Sequence, residues 1–550
     1  MRDIGINPEF ELAVVDYLQP WLLKNRADIL IVVDSSISVD PANDFGISRV
    51  IALIRAAQVG CMRFRVDLAL RNGQAPTIVA NPGPTQHKYR GFRFNMMDGA
   101  NAVIDKYEQI WCFGFQPGNS GNPSDAPITN ANALPSSDAE LLKLSQWMKD
   151  KKGGLFATGD HHFLGASMCK RIPRLGTMRR WTNADGVPPI DTPARIDTLR
   201  PPSAAFEPGN PGGPLALGNS PHQGDLKVQP IQWTAWRFSF WPFGWRRRPH
   251  PVLCHPKLGP INVMPDHAHE GLCVETADIY LAATFNFGGG AQPEYPPAID
   301  GGPQPAPAII AYGSNLGDPP YNFVKGPQPA RAKNPMISAY DGHRAGVGRV
   351  VTDSTWHHWF DVNIDDIQDA NTHDWKLISR YFINIAVWLN PPGFSTNCFY
   401  LSAAISHFED VGFQEYVARL PVLDLGKSLR GHLARYYGPC WVTERIWDII
   451  RVKKLWPIEI LRDPRPPVLD LGEIDPDILE ELVLGHIVKA TMKQAETVKA
   501  AAAAGKGRVV ALAEPEAEFE APLRAGLADM VAGMKEHFDR GAKITAALAR

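Results

Sequence analysis

Residues 27–36, ADILIVVDSS, carry five consecutive aliphatic side chains, Ile29–Val33, and close on Asp34, Ser35 and Ser36. A short, unbroken apolar run without helical periodicity is what a strand covered on both faces needs, and such strands belong to parallel sheets. The polar stop marks the strand's carboxyl end, the edge at which open parallel sheets bind ligands. Working outward, SRVIALIRAA (48–57) places apolar residues at 50, 51, 53, 54 and 57, a helical stripe. YEQIWCFGF (107–115) is a second buried strand. Ser137 and Glu140 form a capping-box pattern ahead of LLKLSQWMKDKK, and Gly153 follows as the stop. GGLFATGDHH (153–162) is a third strand with a polar end. GRVVTDSTWHHWFDVN (348–363) is a fourth, and it crowds Asp353, Trp356, His357, His358 and Trp359 into seven positions. This alternation predicts right-handed crossovers and one largely parallel sheet holding 29–34, 109–114, 154–158 and 349–353. HDWKLISRYFINIAVWLNPP (373–392) repeats apolar residues at 375, 378, 381, 382, 385, 388 and 389 and should be the last helix on that sheet.

At 550 residues the chain exceeds what one core sustains. Its 49 prolines and 47 glycines cluster, and the texture divides it. Residues 1–199 hold the first part of the α/β domain, and 200–335 form an irregular Pro/Gly/Trp-rich insertion. Residues 336–395 supply the last strand and helix, and 396–550 a helical C-terminal region with an Ala-rich tail. A formal net charge of −2 gives no reason to expect nucleic acid or an anionic membrane. No apolar segment has the length to span a bilayer, and the N-terminus lacks a signal-peptide pattern. Seven cysteines, odd in number and without CxxC pairs, fit reduced thiols and a cytoplasmic location.

Three strand ends carry chemistry, Asp34–Ser36, Gly159–His162 and Asp353–His358, and the insertion adds a further cluster. GDHH (159–162) sets Asp160, His161 and His162 on one turn, either as a site or as a helix cap with packed imidazoles. PDHAHEG (265–271) offers Asp266, His267, His269 and Glu270. This is a divalent-metal set, zinc or similar, or a catalytic cluster without metal, or a structural loop. In DSTWHHW (353–359) Asp353, His357 and His358 can enter a cleft, while Trp356 and Trp359 either wall a pocket or cover the sheet. DGHRAGVGR (341–349) adds His343 and Arg344, the latter suited to anions. The stretch QWTAWRFSFWPFGWRRRPHP (232–251) reads first as a hairpin covering a domain face, and otherwise as an exposed surface for stacking ligand rings.

The run from YEQIWCFGF through LPSSDAELLKLSQWMKDKKGGLFATGDHHFLGAS resembles the trehalose-utilisation (ThuA-like) family of the class I glutamine amidotransferase-like superfamily. GRVVTDSTWHHW resembles that family's late strand and its His-bearing turn. The resemblance covers roughly 27–390 and implies a flavodoxin-like parallel sheet. Amidotransferases set a nucleophilic Cys on the turn after the strand GLFAT; here Gly159, Asp160 and His161 stand there. Cys112 and Cys169 lie elsewhere, so glutaminase chemistry is not expected.

Two functions follow as expectations. One is a hydrolase-type enzyme acting on a small molecule, with Asp160, His161, Glu270, His357 and His358 catalytic. Asp34, Ser35, Arg344, Asp353 and Trp356 would then bind ligand, and His267, His269 and Asp266 would hold a metal. The other is a non-catalytic binding or scaffold protein whose C-terminal helices recruit a protein partner or a second copy. The enzyme reading requires the insertion to fold back over the sheet edge.

Overall fold

The computed structural model describes residues 25–34, 37–43, 45–116, 134–159, 164–181, 228–241, 244–266, 271–314, 333–409, 421–452 and 480–489. Ten strands form the path of one large sheet: β1 (Arg26–Asp34), β2 (Met62–Arg71), β3 (Thr77–Ile78), β4 (Tyr89–Arg90), β5 (Gln109–Phe113), β6 (Gly154–Thr158), β7 (Gln232–Trp233), β8 (Ala308–Gly313), β9 (Asn334–Tyr340) and β10 (Val350–Asp353). Their order is β7-β8-β9-β10-β6-β5-β1-β2-β4-β3. The pairs β2–β1, β1–β5, β5–β6 and β6–β10 are all parallel, so the four expected strands do share one sheet. Taken in chain order, these five run 2-1-3-4-5, and the order reverses between β1 and β5.

Side-chain alternation splits the sheet's residues between two cores. Ile29, Ile31, Val33, Trp111, Phe113, Phe156 and Val351 enter one, and Leu30, Val32, Ile110, Cys112, Leu155, Ala157 and Val350 the other. Helix α1 (Ser48–Ala56) packs on the first face and α2 (Asp138–Asp150) on the second. The capping box forms as expected, with Ser137 accepting from the Glu140 amide and the Glu140 side chain returning to Ser137. The helix stops at Lys152, whose φ of 52° is left-handed. Gly153 follows because a Cβ there would overlap the Trp147 indole.

Two parts of the sheet depart from expectation. Strand β2, MRFRVDLALR, was hidden by its charges. Phe64, Val66 and Leu68 enter the core, while Arg65 and Asp67 face out to Asp28 and Lys88 at 2.6 Å each. Residues 200–335 are not simply an irregular insertion, since β7, β8 and the start of β9 come from them and extend the central sheet antiparallel beyond β10. Ile309, Ile310 and Ala311 are buried there, a strand signal masked by the surrounding Pro and Gly. The tryptophan-rich stretch contains a hairpin, Arg237–Trp241 against Gly244–Arg248.

Helix α3 (Asp361–Asp369) leads into α4 (His373–Trp388), capped by Thr372. Three more helices, α5 (Pro392–Glu409), α6 (Val422–Tyr437) and α7 (Pro439–Val452), join the first core through Phe399, Leu429, Leu433, Trp441 and Ile446. A boundary at 395/396 therefore falls inside α5. Arg349 fastens α7 to the sheet: its guanidinium donates to Asp341 at 2.9 Å and Asp448 at 3.1 Å, lies 3.2 Å from Glu444, and stacks over Trp388. Among the described residues no helix is long and apolar enough to cross a membrane.

Candidate functional site

Parallel register brings the strand ends to one edge, with Val33 opposite Phe113, Phe113 opposite Thr158 and Thr158 opposite Asp353. Asp353 ends β10 and is fully buried. A short 3-10 turn, Trp356–His358, follows it, started by Thr355 Oγ1 accepting the His357 amide at 3.2 Å. That turn brings the chain back on itself. His358 Nδ1 lies 2.9 Å from each Asp353 carboxylate oxygen, Trp359 Nε1 donates at 3.2 Å, and Tyr381 from α4 donates its hydroxyl at 2.9 Å. A carboxylate only accepts, so Nδ1 is the donor in this contact, and the neutral tautomer compatible with it has its lone pair on Nε2. His358 Nε2 is buried and has no hydrogen-bond partner among the described residues.

A second histidine–carboxylate contact stands beside the first. His357 Nδ1 is 3.3 Å from Asp266 Oδ2, an oxygen that also accepts from Asn363 Nδ2 at 3.2 Å. Asp266 is buried and comes from the Pro/Gly-rich region, so that region does reach the sheet edge. On the far side of residues 267–270 the chain is fixed again. The Arg180 amide donates to Leu272, Cys273 to Pro335 and Val274 to Met178, each at 2.9 Å. Gly271 lies against the Ser354 carbonyl so closely that a Cβ would overlap it. The Arg179 guanidinium, buried and stacked on Trp181, donates to the same Ser354 carbonyl at 2.9 Å.

The expected site residues therefore separate. Asp353, His357, His358 and Asp266 come together. Ser35, Asp160, His161, His267, His269 and Glu270 lie outside the described residues. Asp34 stands at the right edge, but its Oδ2 accepts the amides of Phe115 and Gln116 at 2.6 Å each, which ties the exit of β5 to β1. Trp356 is a packing residue rather than an open wall, for its ring stacks on Phe115 at 4.4 Å. Arg344 departs from expectation altogether. It follows β9, which runs antiparallel to β10, so its turn lies at the opposite edge of the sheet, where its guanidinium reaches the Pro303 carbonyl. His343 shares that turn, and burial drives its imidazole well below the ordinary range.

Among the described residues no group of three His, Cys, Asp or Glu side chains is placed to hold a metal. Cys169 and Cys273 are buried thiols whose enclosure pushes them above the ordinary thiol range. Three contributors escaped the sequence reading. Tyr381 counted only as a member of an apolar helical stripe, although its position one turn before Ile385 on a face turned toward the sheet was legible. Arg179 and Asn363 carried no motif at all. No family model, curated protein or solved structure matches this chain.

Proposed function

We propose that the chain is a hydrolase-type enzyme acting on a small molecule, with His358 as general base at the carboxyl edge of an amidotransferase-like sheet. The observation that supports it is the state of His358: Nδ1 is committed to a buried carboxylate while Nε2, the lone-pair nitrogen of the neutral tautomer, has no described partner. An imidazole held in one tautomer by a carboxylate is the arrangement that lets a histidine take a proton from water or a hydroxyl. The strand order 2-1-3-4-5 is that of flavodoxin-like sheets, the fold class that the ThuA-like resemblance implies. With no cysteine expected at the elbow, water is the nucleophile. Water adds to the electrophilic centre as His358 accepts its proton, the bond to the leaving group breaks, and His358 returns the proton to that group, while the Arg179 guanidinium at the same edge favours developing negative charge. In the metal-assisted form of this reading, Asp266 with His267 and His269 would hold a divalent ion that sharpens the acidity of that water.

A second reading rests on burial. Asp353 and His358 have no exposed surface, and Trp359 and Tyr381 join them in the core. This favours a polar lock that holds the turn of a binding or scaffold protein. Purified full-length chain, with its divalent metal content measured, would be tried on chromogenic esters, phosphoesters and glycosides. Turnover that falls at least about 100-fold in His358→Gln, in a variant that stays folded at the assay temperature, supports the enzyme. Absence of turnover, or turnover indifferent to His358→Gln, overturns it and leaves the lock.

A further inference from the structure

Six of the seven cysteines, far apart in sequence, meet in pairs. Cys61 lies against Cys398, its Sγ 3.3 Å from the Cys398 carbonyl, Cys254 lies beside the turn that carries Cys440, and Cys112 and Cys169 form a third neighbouring pair. All six are free thiols. The first two pairs share a location: Cys61, beside the central sheet, meets α5, and Cys254, in a small two-stranded sheet held to α4 by Asn384, stands beside the start of α7. Cys61 precedes β2 and its Sγ also reaches the Cys398 carbonyl on α5 at 3.3 Å. Ser402 Oγ, one turn further along α5, donates to Cys61 Sγ at 3.4 Å, and the Tyr437 hydroxyl at the end of α6 lies 3.6 Å away. One residue later, a Cβ on Gly438 would sit 3.7 Å from Cys254 Sγ, and α7 then presents Cys440. The two pairs thus flank the turn between α6 and α7.

We propose that Cys61–Cys398 and Cys254–Cys440 are convertible cross-links, thiols under reducing conditions and disulfides after exchange with a small-molecule disulfide, which fasten the C-terminal helices α5 and α7 to the rest of the fold. The thiolate of Cys61 attacks one sulfur of the small disulfide. The disulfide breaks, one small thiol leaves, and a mixed disulfide remains on Cys61. Cys398 loses its proton and attacks the Cys61 sulfur, releasing the second small thiol. Two protein thiols are oxidised by two electrons, and the small disulfide is reduced to two thiols. Cys254 and Cys440 react in the same way.

The local chemistry assigns the first attacker. The contact with Cys398, helped by Ser402 and Tyr437 against burial, brings Cys61 down to about 7, while enclosure pushes Cys398 well up. Cys254 is lowered in the same manner by its contact with Cys440. Cys61 also retains 7 % of its surface, whereas Cys112 and Cys169 retain none, so the third pair is sealed in the folded protein. A cross-link between residues 337 apart closes a very long loop of the unfolded chain, the case in which a disulfide restricts that state most.

The full-length chain would be held with oxidised glutathione, once folded and once during refolding from the reduced, denatured state, and then mapped by non-reducing peptide mass spectrometry. Linked peptides joining Cys61 to Cys398 and Cys254 to Cys440 are expected, with a melting temperature raised by about 10 °C and restored by dithiothreitol. Cys398→Ser and Cys440→Ser should each remove one link and part of the rise. Glutathione adducts without either link, in both treatments, would overturn the proposal, as would links that pair these four cysteines differently.

Discussion

Asp353 faces His358 with both carboxylate oxygens 2.9 Å from Nδ1, and Tyr381 closes the cage from the neighbouring helix with its hydroxyl on Oδ2. The phenol donates one hydrogen bond to a buried charged acceptor, and its ring packs beside Trp359. Tyr381→Phe keeps the ring and removes the donor, so it should lower stability by about 1.5–3 kcal/mol in denaturant titration. A change below about 0.5 kcal/mol would mean that the hydroxyl is not held by Asp353.

Gly271 is the second constraint at this edge. An alanine Cβ would overlap the Ser354 carbonyl and crowd the Arg179 guanidinium. Gly271→Ala should therefore push residues 271–274 off β10 and cost about 1–3 kcal/mol. Faster backbone exchange at Cys273 and Val274 is the expected sign, while exchange in β1 and β5 stays unchanged.

On the opposite edge Arg349 answers three carboxylates at once. Burial alone would raise Asp341, but the guanidinium beside it holds that carboxyl well below the usual range. Arg349→Met leaves the buried Glu444 and the part-buried Asp341 without that guanidinium, while Asp448 keeps Arg445, and should destabilise the protein by about 3–5 kcal/mol. Protease cleavage between α5 and α7 should accelerate, because this cluster joins α7 to the sheet.

Acid and base act on different groups here. Burial, with Arg349 adding to it, pushes His250 down from 6.5 to about 3, and its Nδ1 accepts the Val252 amide at 3.2 Å, which requires the neutral ring. The unfolded chain takes up that proton first, so this stabilisation is complete above 6.5 and disappears as pH falls toward 3. Glu444 runs the other way. Burial raises it from 4.5 to about 7, so its contribution is complete below 4.5 and is lost as pH rises through 7. The melting temperature of His250→Asn, which keeps an acceptor for Val252, should fall less steeply between pH 6.5 and 4 than that of the natural chain. Glu444→Gln should remove the part of the stability loss that sets in as pH rises from 4.5 to 7. Parallel curves for all three proteins would refute the assignment.

The four central strands were legible because unbroken aliphatic runs between turn residues have few other uses, and the capping box at Ser137 fixed α2. Strand β2 was not, since Arg63, Arg65 and Asp67 hid the apolar alternation. β8 and β9 were masked by a Pro- and Gly-rich neighbourhood that spoke of loops. At the site, local sequence showed Asp353 and His358 five residues apart, which one turn can bring together. It could not show Asp266 beside His357, or Tyr381 on Asp353, because those contacts depend on how distant elements dock. The same limit hid the cysteine pairs, whose members lie as far apart as 61 and 398.

The most direct test of the general-base reading compares Asp353→Asn with Tyr381→Phe on the best substrate from the chromogenic panel. An asparagine amide donates toward His358 Nδ1 and forces the proton onto Nε2, which can then no longer accept one. Asp353→Asn should lower kcat/KM on the order of 10³-fold or more, chiefly through kcat, with KM and overall fold retained. Tyr381→Phe should stay within about tenfold, since it leaves the tautomer unchanged. If the two variants lose activity in proportion to their lost stability, Asp353 and His358 are a structural lock and the base lies elsewhere.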